Sequence, residues 1–291
     1  MIRNRPESRV KAVLISLILC VTLLVMVVQV MGAGVQMKKI FAAEVREELE
    51  KTRIISGFFT EEDFAVLPGP MQRYYRHLTL VNQPKMSNAR IIFNEVTFKN
   101  GNMDLQLYCE QFNFVEEPTR IAYMVAKIAG LIPFEGRDKY QNGQGQMTGK
   151  LAKLIKIFDA TGPEMDQSAL VTILTECLIV PTYALQDYIT WEELNDQQAR
   201  ATIRYNGAEA SGVFTIDDSC ETVTFHTYDR YMDRGGGVFE LVPWRTEIVG
   251  YTQHKQRRVP RGLKAIWELP EGDLVYFDGV VSSVEYDVED F

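Results

Sequence analysis

Residues 165–185 read MDQSALVTILTECLIVPTYAL, the one long apolar helix candidate in a chain that otherwise alternates like strands. Ala169, Leu170, Ile173, Leu174, Cys177 and Leu178 recur at helical spacing and form one wide apolar stripe. Asp166 and Ser168 are the expected N-caps, because a short side-chain oxygen accepts from the free backbone N–H groups of a first turn. Pro181 is the expected stop, since it lacks an N–H and disfavours helical geometry in Val180. Glu176 interrupts the stripe and has two readings: a solvated outer face, or a buried carboxylate paired with an arginine such as Arg137 or Arg200. The second needs such a partner, because an unpaired charge in low dielectric is costly.

Around this stretch the period is two. ARIIFNEVTFK and MDLQLYCEQFNFV flank Asn100-Gly101, a strong hairpin signal. Residues 119–131, TRIAYMVAKIAGL, read as a third strand, and Arg137 to Met147 as a glycine-rich turn leading to a strand through Phe158. That turn is no phosphate loop, since GxxxxGK[ST] is absent and no helix follows directly. Trp191 to Tyr205 holds a strand with Ala199, Ala201, Ile203 and Tyr205 alternating, and further strands cover 213–216, 222–228, 238–253, 262–269 and 274–288. Upstream, Thr60 and Asp63 suit a capping box, and Pro70 suits the first turn of a helix carrying Met71, Tyr74, Tyr75 and Leu78. The expected fold is mainly β with helices: a curved antiparallel half-barrel sheet enclosing or covered by the central helix, plus an N-terminal transmembrane helix.

Ala12 to Gly32 is an uncharged apolar run of the length that crosses a bilayer. Arg3, Arg5, Arg9 and Lys11 precede it and place the N-terminus in the cytoplasm. A cleaved signal peptide is the alternative, although its apolar core is ordinarily shorter. The expected organisation is a basic tail (1–11), a transmembrane helix (12–34), a stalk (35–59), one β-rich ectodomain (60–288) and a short tail (289–291), in a single-pass protein of the cell membrane. Formal net charge is −8; residues 1–11 carry +3 and residues 12–37 none, so the body carries −11. A body that acidic repels phosphate backbones, which argues against nucleic acid. The acidic C-terminal residues Glu285, Asp287, Glu289 and Asp290 read as a solvated end.

Cys109, Cys177 and Cys220 are widely spaced, without CxxC, and no metal or other cofactor is expected. One disulfide with a spare thiol, or three buried thiols, both fit. His77, His226 and His254 lack metal-ligand spacing. His226 and Asp229 point to opposite faces of a regular strand, so a general-base pair is disfavoured, and no GxSxG elbow exists.

Several weak motifs occur in order: Leu67-Pro68-x-Pro70-x-x-Arg73-Tyr74, then Arg137-x-x-Tyr140-x-x-Gly143-x-Gly145-x-Met147, Trp191-Glu192, Ala199-Arg200-Ala201, and Arg258-Val259-Pro260-Arg261 with Trp267-Glu268-Leu269. Together they resemble one uncharacterised bacterial family of unknown function over residues 65–278. The resemblance implies a lipoprotein-carrier (LolA/LolB-like) half-barrel and brings no reaction or catalytic residue.

Trp191, Trp244, Trp267, Tyr251 and Phe239 fall in strands that share one concave face or pack as core. Lining a pocket for a lipid or other hydrophobic ligand is the functional reading, with Leu174 on the helix and Arg137, Tyr140, Glu176 and Arg200 as its polar groups. The rival is a regulatory module that docks another envelope protein; an envelope hydrolase is a weaker third.

Overall fold

The computed structural model describes residues 5–100 and 103–291. One helix, α1 (Arg5–Lys51), runs 47 residues without a break. Its segment Val10–Gln29 is long and apolar enough to cross a membrane, and none of it is buried among the described residues. Two short helices follow, α2 (Glu61–Ala65) and α3 (Gly69–His77). Thr60 and Asp63 form the expected capping box at α2, and Pro70 lies in the first turn of α3, which buries Met71, Tyr74 and Tyr75.

Six strands then run up and down: β1 (Asn88–Asn100), β2 (Met103–Phe114), β3 (Thr119–Ile128), β4 (Ile132–Gln141), β5 (Gln144–Leu151) and β6 (Ile155–Thr161). Beyond helix α4 (Pro163–Thr175) come β7 (Ile189–Asn195), β8 (Gln198–Tyr205), β9 (Ala208–Ile216), β10 (Val223–Thr227), β11 (Tyr231–Asp233) and β12 (Phe239–Leu241). The last strands are β13 (Trp244–Ile248), β14 (Tyr251–His254), β15 (Arg257–Pro260), β16 (Gly262–Leu269) and β17 (Gly272–Tyr286). Thirteen of them form one antiparallel sheet in the order β6-β5-β4-β3-β2-β1-β17-β16-β13-β10-β9-β8-β7; β11–β12 and β14–β15 are separate hairpins.

β1 and β2 pair out to Asn100 opposite Met103, as the hairpin signal requires; residues 101 and 102 of the turn lie outside the described residues. The run 137–147 is mostly strand, with only Asn142-Gly143 turning between β4 and β5. The strand with Ala199, Ala201, Ile203 and Tyr205 in alternation is β8, and the residues before it fold back at Asp196-Gln197 as a second strand, β7. The sheet curls until its wings touch. Tyr140 and Tyr205 lie 6.4 Å apart, and a Cβ on Gly143 would collide with Asn206 of the β8–β9 turn. A bulge between Phe93 and Val96 helps bend β1.

The sheet's edge strands β6 and β7 are joined through α4, so the connection itself carries the central helix across the concave face. The helix starts earlier than expected, with Gly162 at its N-cap and Pro163 in the first turn. Asp166 instead accepts a hydrogen bond from the Gly145 N–H at 2.6 Å, and Ser168 accepts from the Tyr231 N–H at 2.9 Å. Gly145 is needed here, because a Cβ would collide with the Met165 carbonyl oxygen. The regular helix stops at Thr175 and tightens into 3-10 turns at Glu176–Leu178 and Pro181–Leu185. Tyr74 and Tyr75 of α3 donate to the freed carbonyls of Leu178 (2.8 Å) and Cys177 (3.0 Å). Buried carbonyls need such donors.

A second apolar cluster lies on the convex face. Met37, Phe41 and Val45 of α1 pack on Phe112, Phe114, Ile121 and Tyr123 of β2 and β3. The stalk is therefore the docked lower part of one helix. The C-terminal tail is also docked: the Phe291 ring lies 4.9 Å from Phe112 and 5.5 Å from Phe41. Asp287 accepts from the Ser87 N–H at 2.7 Å. Cys109, Cys177 and Cys220 are free and buried.

Candidate functional site

The residues expected to line one concave pocket fall in separate places. Leu174 is fully buried under the sheet. Glu176 is buried, and its partner is Arg120, neither Arg137 nor Arg200. One Glu176 oxygen accepts from Arg120 Nε at 2.8 Å and from Gln111 Nε2 at 2.9 Å, and the other from Asn113 Nδ2. Arg120 also meets Asp138 at 2.6 Å. Burial opposes charge on Arg120, but the carboxylates of Glu176 and Asp138 outweigh it, and its pKa is raised. Arg137 is on the opposite, convex face, where it meets Glu44 of α1 at 2.6 Å. Arg200 pairs with Glu192 at 2.7 Å on an exposed surface. Tyr140 is buried, with its hydroxyl unpartnered.

The aromatics form a packed layer in parts. Trp244 and Trp267 face each other across β13 and β16, Trp267 stacks on Tyr276 at 5.7 Å, and the Arg230 guanidinium sits 4.3 Å over Trp244. Trp191 packs 5.4 Å from Phe214 and donates to the Ala184 carbonyl at 3.0 Å. Tyr251 belongs to the β14–β15 hairpin, between His77 and Arg258, and Phe239 to the β11–β12 hairpin. His226 and Asp229 are not partners: His226 meets Glu268 at 3.1 Å, while Asp229 accepts from Ser211.

A groove opens elsewhere, about 610 Å³ in volume, on the convex side of β1–β4. Cross-strand register puts Tyr108, Val125 and Glu135 side by side on that face, and Tyr123, between Glu110 and Arg137, on the same one. Pro133, Lys127 and Lys153 also line the groove. At its foot Glu135 is 3% exposed. One of its oxygens accepts from the Tyr123 hydroxyl at 2.9 Å and lies 3.8 Å from Lys153 Nζ. Its other oxygen is buried with no partner. Burial, and then the Glu135 carboxylate beside it, push the Tyr123 phenol up, so it stays a neutral donor. An apolar wall with a buried, half-satisfied carboxylate is a place where a ligand's donor completes a hydrogen bond.

Sequence reading missed this groove. Its signal was present: in LYCEQFNF (107–114) and TRIAYMV (119–125) the apolar residues occupy both phases of the alternation, so both faces of β2 and β3 need cover.

Residues 57–279 match the model of a family of unknown function, DUF6544. The chain belongs to that family. This agrees with the ordered motifs, which pointed to a family without an assigned reaction. No curated protein matches the chain. Among solved structures, it is similar to a LolA superfamily protein from Nitrosomonas europaea, at 6% identity over 75% of this chain and 94% of that one, with TM-score 0.35. It is also similar to a β-barrel-like protein of the DUF1849 family from Brucella abortus, at 12% identity over 70% and 99% of the two chains, with TM-score 0.19. The DUF6544 chain has a curved open antiparallel sheet wrapped on a central helix, with an N-terminal apolar helix docked behind it.

Proposed function

We propose that this DUF6544 protein is a single-pass membrane protein whose outward-facing domain holds an amphipathic lipid in the convex groove. The buried, unpartnered oxygen of Glu135 carries the reading. It calls for a ligand with a hydrogen-bond donor, and the walls of Tyr108, Val125 and Pro133 suit an acyl chain. Lys127 and Lys153 at the rim suit a phosphate. A phospholipid with a donor-bearing headgroup combines the three. Each buried CH₂ contributes about 0.8 kcal/mol, and a volume of about 610 Å³ is in the range of small-molecule sites. The concave interior does not compete, since Leu170, Val171, Ile173 and Leu174 fill it.

The test is native mass spectrometry of the full chain, extracted from membranes in mild detergent. A bound phospholipid is expected in the wild type. Val125→Trp, which fills the groove, should remove it. Glu135→Gln, which keeps the volume, should shift the bound population away from amine-bearing headgroups. A wild-type protein free of lipid, or an adduct indifferent to both changes, refutes the proposal.

A further inference from the structure

Outside the membrane segment, the most exposed large apolar side chain among the described residues is Leu131, at 85%, in the turn between β3 and β4. Beside it in space is the turn between β5 and β6, with Leu154, Ile155 and Ile157 exposed, because β4 and β5 pair from Phe134–Leu151 onward. Residues 150–157 read KLAKLIKI, with three lysines and no acid; Lys127 adds a fourth on β3. This basic, apolar end belongs to a body carrying −11.

The direction of α1 shows what this end faces. Phe41 stacks on Tyr123, the cross-strand neighbour of Arg137. Glu44 meets Arg137 and Lys139, and Glu48 accepts from Gln141. Helix and β4 therefore advance in the same direction. Backward from Glu44, the helix reaches Gln29, the end of the apolar span, after about 22 Å at about 1.5 Å per residue. Backward from Arg137, β4 reaches Leu131 after about 20 Å at about 3.3 Å per residue. The two turns lie level with the point where the helix leaves the membrane.

We propose that the β3–β4 and β5–β6 turns insert Leu131, Ile132, Leu154 and Ile155 into the interfacial layer of the same membrane, with Lys127 and Lys150 on acidic headgroups. Apolar side chains rimmed by lysine are the composition that an interface accepts. The inference rests on the reading that α1 spans the membrane; it does not depend on a ligand in the groove.

The test uses the full chain with Cys20→Ser, reconstituted in phosphatidylcholine vesicles with a minority of phosphatidylglycerol. Single cysteines at Leu131 or Leu154, and at Asn142 on the opposite turn, carry an environment-sensitive fluorophore; the native thiols Cys109, Cys177 and Cys220 are buried. Labels at 131 and 154 should be blue-shifted and quenched several-fold more by brominated lipid than the label at 142. Labels at 131 and 154 as wet as that at 142 overturn the proposal. Labels shielded from water but untouched by brominated lipid also overturn it, and put a second copy on the turns. An alkaline wash of the vesicles checks the anchor separately: release of the protein removes the spanning reading, and the insertion falls with it.

Discussion

Replacing Arg120 with methionine removes the cation that neutralises Glu176 in the protein's interior. In the native protein Glu176 has three donors: the Arg120 guanidinium at 2.8 Å and the side-chain amides of Gln111 and Asn113. Without Arg120 the amides remain, but the carboxylate is buried without a counter-charge, and Asp138 loses its ion pair at 2.6 Å. Asp138 is a quarter exposed and can recover solvation; Glu176, on the closing turn of the central helix, cannot. Breaking a buried pair on one side costs about 3–5 kcal/mol, a large share of the roughly 5–15 kcal/mol that holds a domain folded. Glu176→Gln should cost less, about 1–3 kcal/mol, since Arg120 keeps Asp138. The double variant Arg120→Met/Glu176→Gln strands no buried Glu176 charge, so it should be more stable than Arg120→Met alone, which requires a coupling larger than the cost of Glu176→Gln by itself. Urea unfolding followed by circular dichroism, at one pH and salt concentration, gives all four corners of the cycle. If the double variant is no more stable than Arg120→Met, the loss comes from packing of the arginine stem, and the charge argument is wrong.

Phe41→Ala should loosen the docked half of α1. The side chain is fully buried among Tyr123, Phe112 and Phe291, and its loss costs about 3–5 kcal/mol. Hydrogen exchange should quicken in residues 41–51 and leave β8 and β9 unchanged; uniform protection throughout would count against docking. Asp63 links stability to acid. Burial raises its carboxyl pKa, but Lys85 Nζ at 2.7 Å and the Thr60 N–H outweigh this and hold it below its ordinary 3.8. A lowered folded pKa gives stability that is present above the ordinary value and lost as pH falls through the folded one. Asp63→Ala should therefore cost about 1 kcal/mol near neutrality, with the gap to wild type closing below pH 3.8; a gap unchanged in acid would remove Asp63 as its source.

Much of the fold was legible because its determinants are local. The capping box at Thr60, Pro70 in a first turn and the alternation of β1 and β2 act over a few residues, and each is found where expected. The partner of Glu176 was not legible. Arg120 reaches it because β2 and β3 pair with Asn113 opposite Arg120, which brings that arginine and two amides to one spot on the concave face. Nothing in the spacing of Arg120, Arg137 and Arg200 encodes that register, and a one-residue slip would exchange the faces. The same parity sends Arg137 to the convex side, to Glu44. The cap positions at Asp166 and Ser168 misled for a related reason. Both side chains do accept backbone N–H bonds, but from Gly145 and Tyr231 across space, while Pro163 opens the helix.

The interior and the exterior of the sheet exchange the roles that a half-barrel suggests. A concave face is the natural cradle for an apolar ligand, but here the link between the two edge strands runs through it and fills it with Leu170, Ile173, Leu174, Cys177 and Tyr183. A convex face of an antiparallel sheet ordinarily meets water and is polar. Here it carries Phe112, Phe114, Ile121, Tyr123 and Val125, which α1 covers only in part. Beyond the reach of Met37 and Phe41 the same face continues as the open groove, with Tyr108, Val125 and Pro133 in its wall and Glu135 half-satisfied at its foot. Its uncovered direction is the one in which α1 leads back to its apolar span. On the proposed reading that α1 spans the membrane, apolar surface left open there faces lipid, and a ligand drawn from the membrane fits it better than one captured from water.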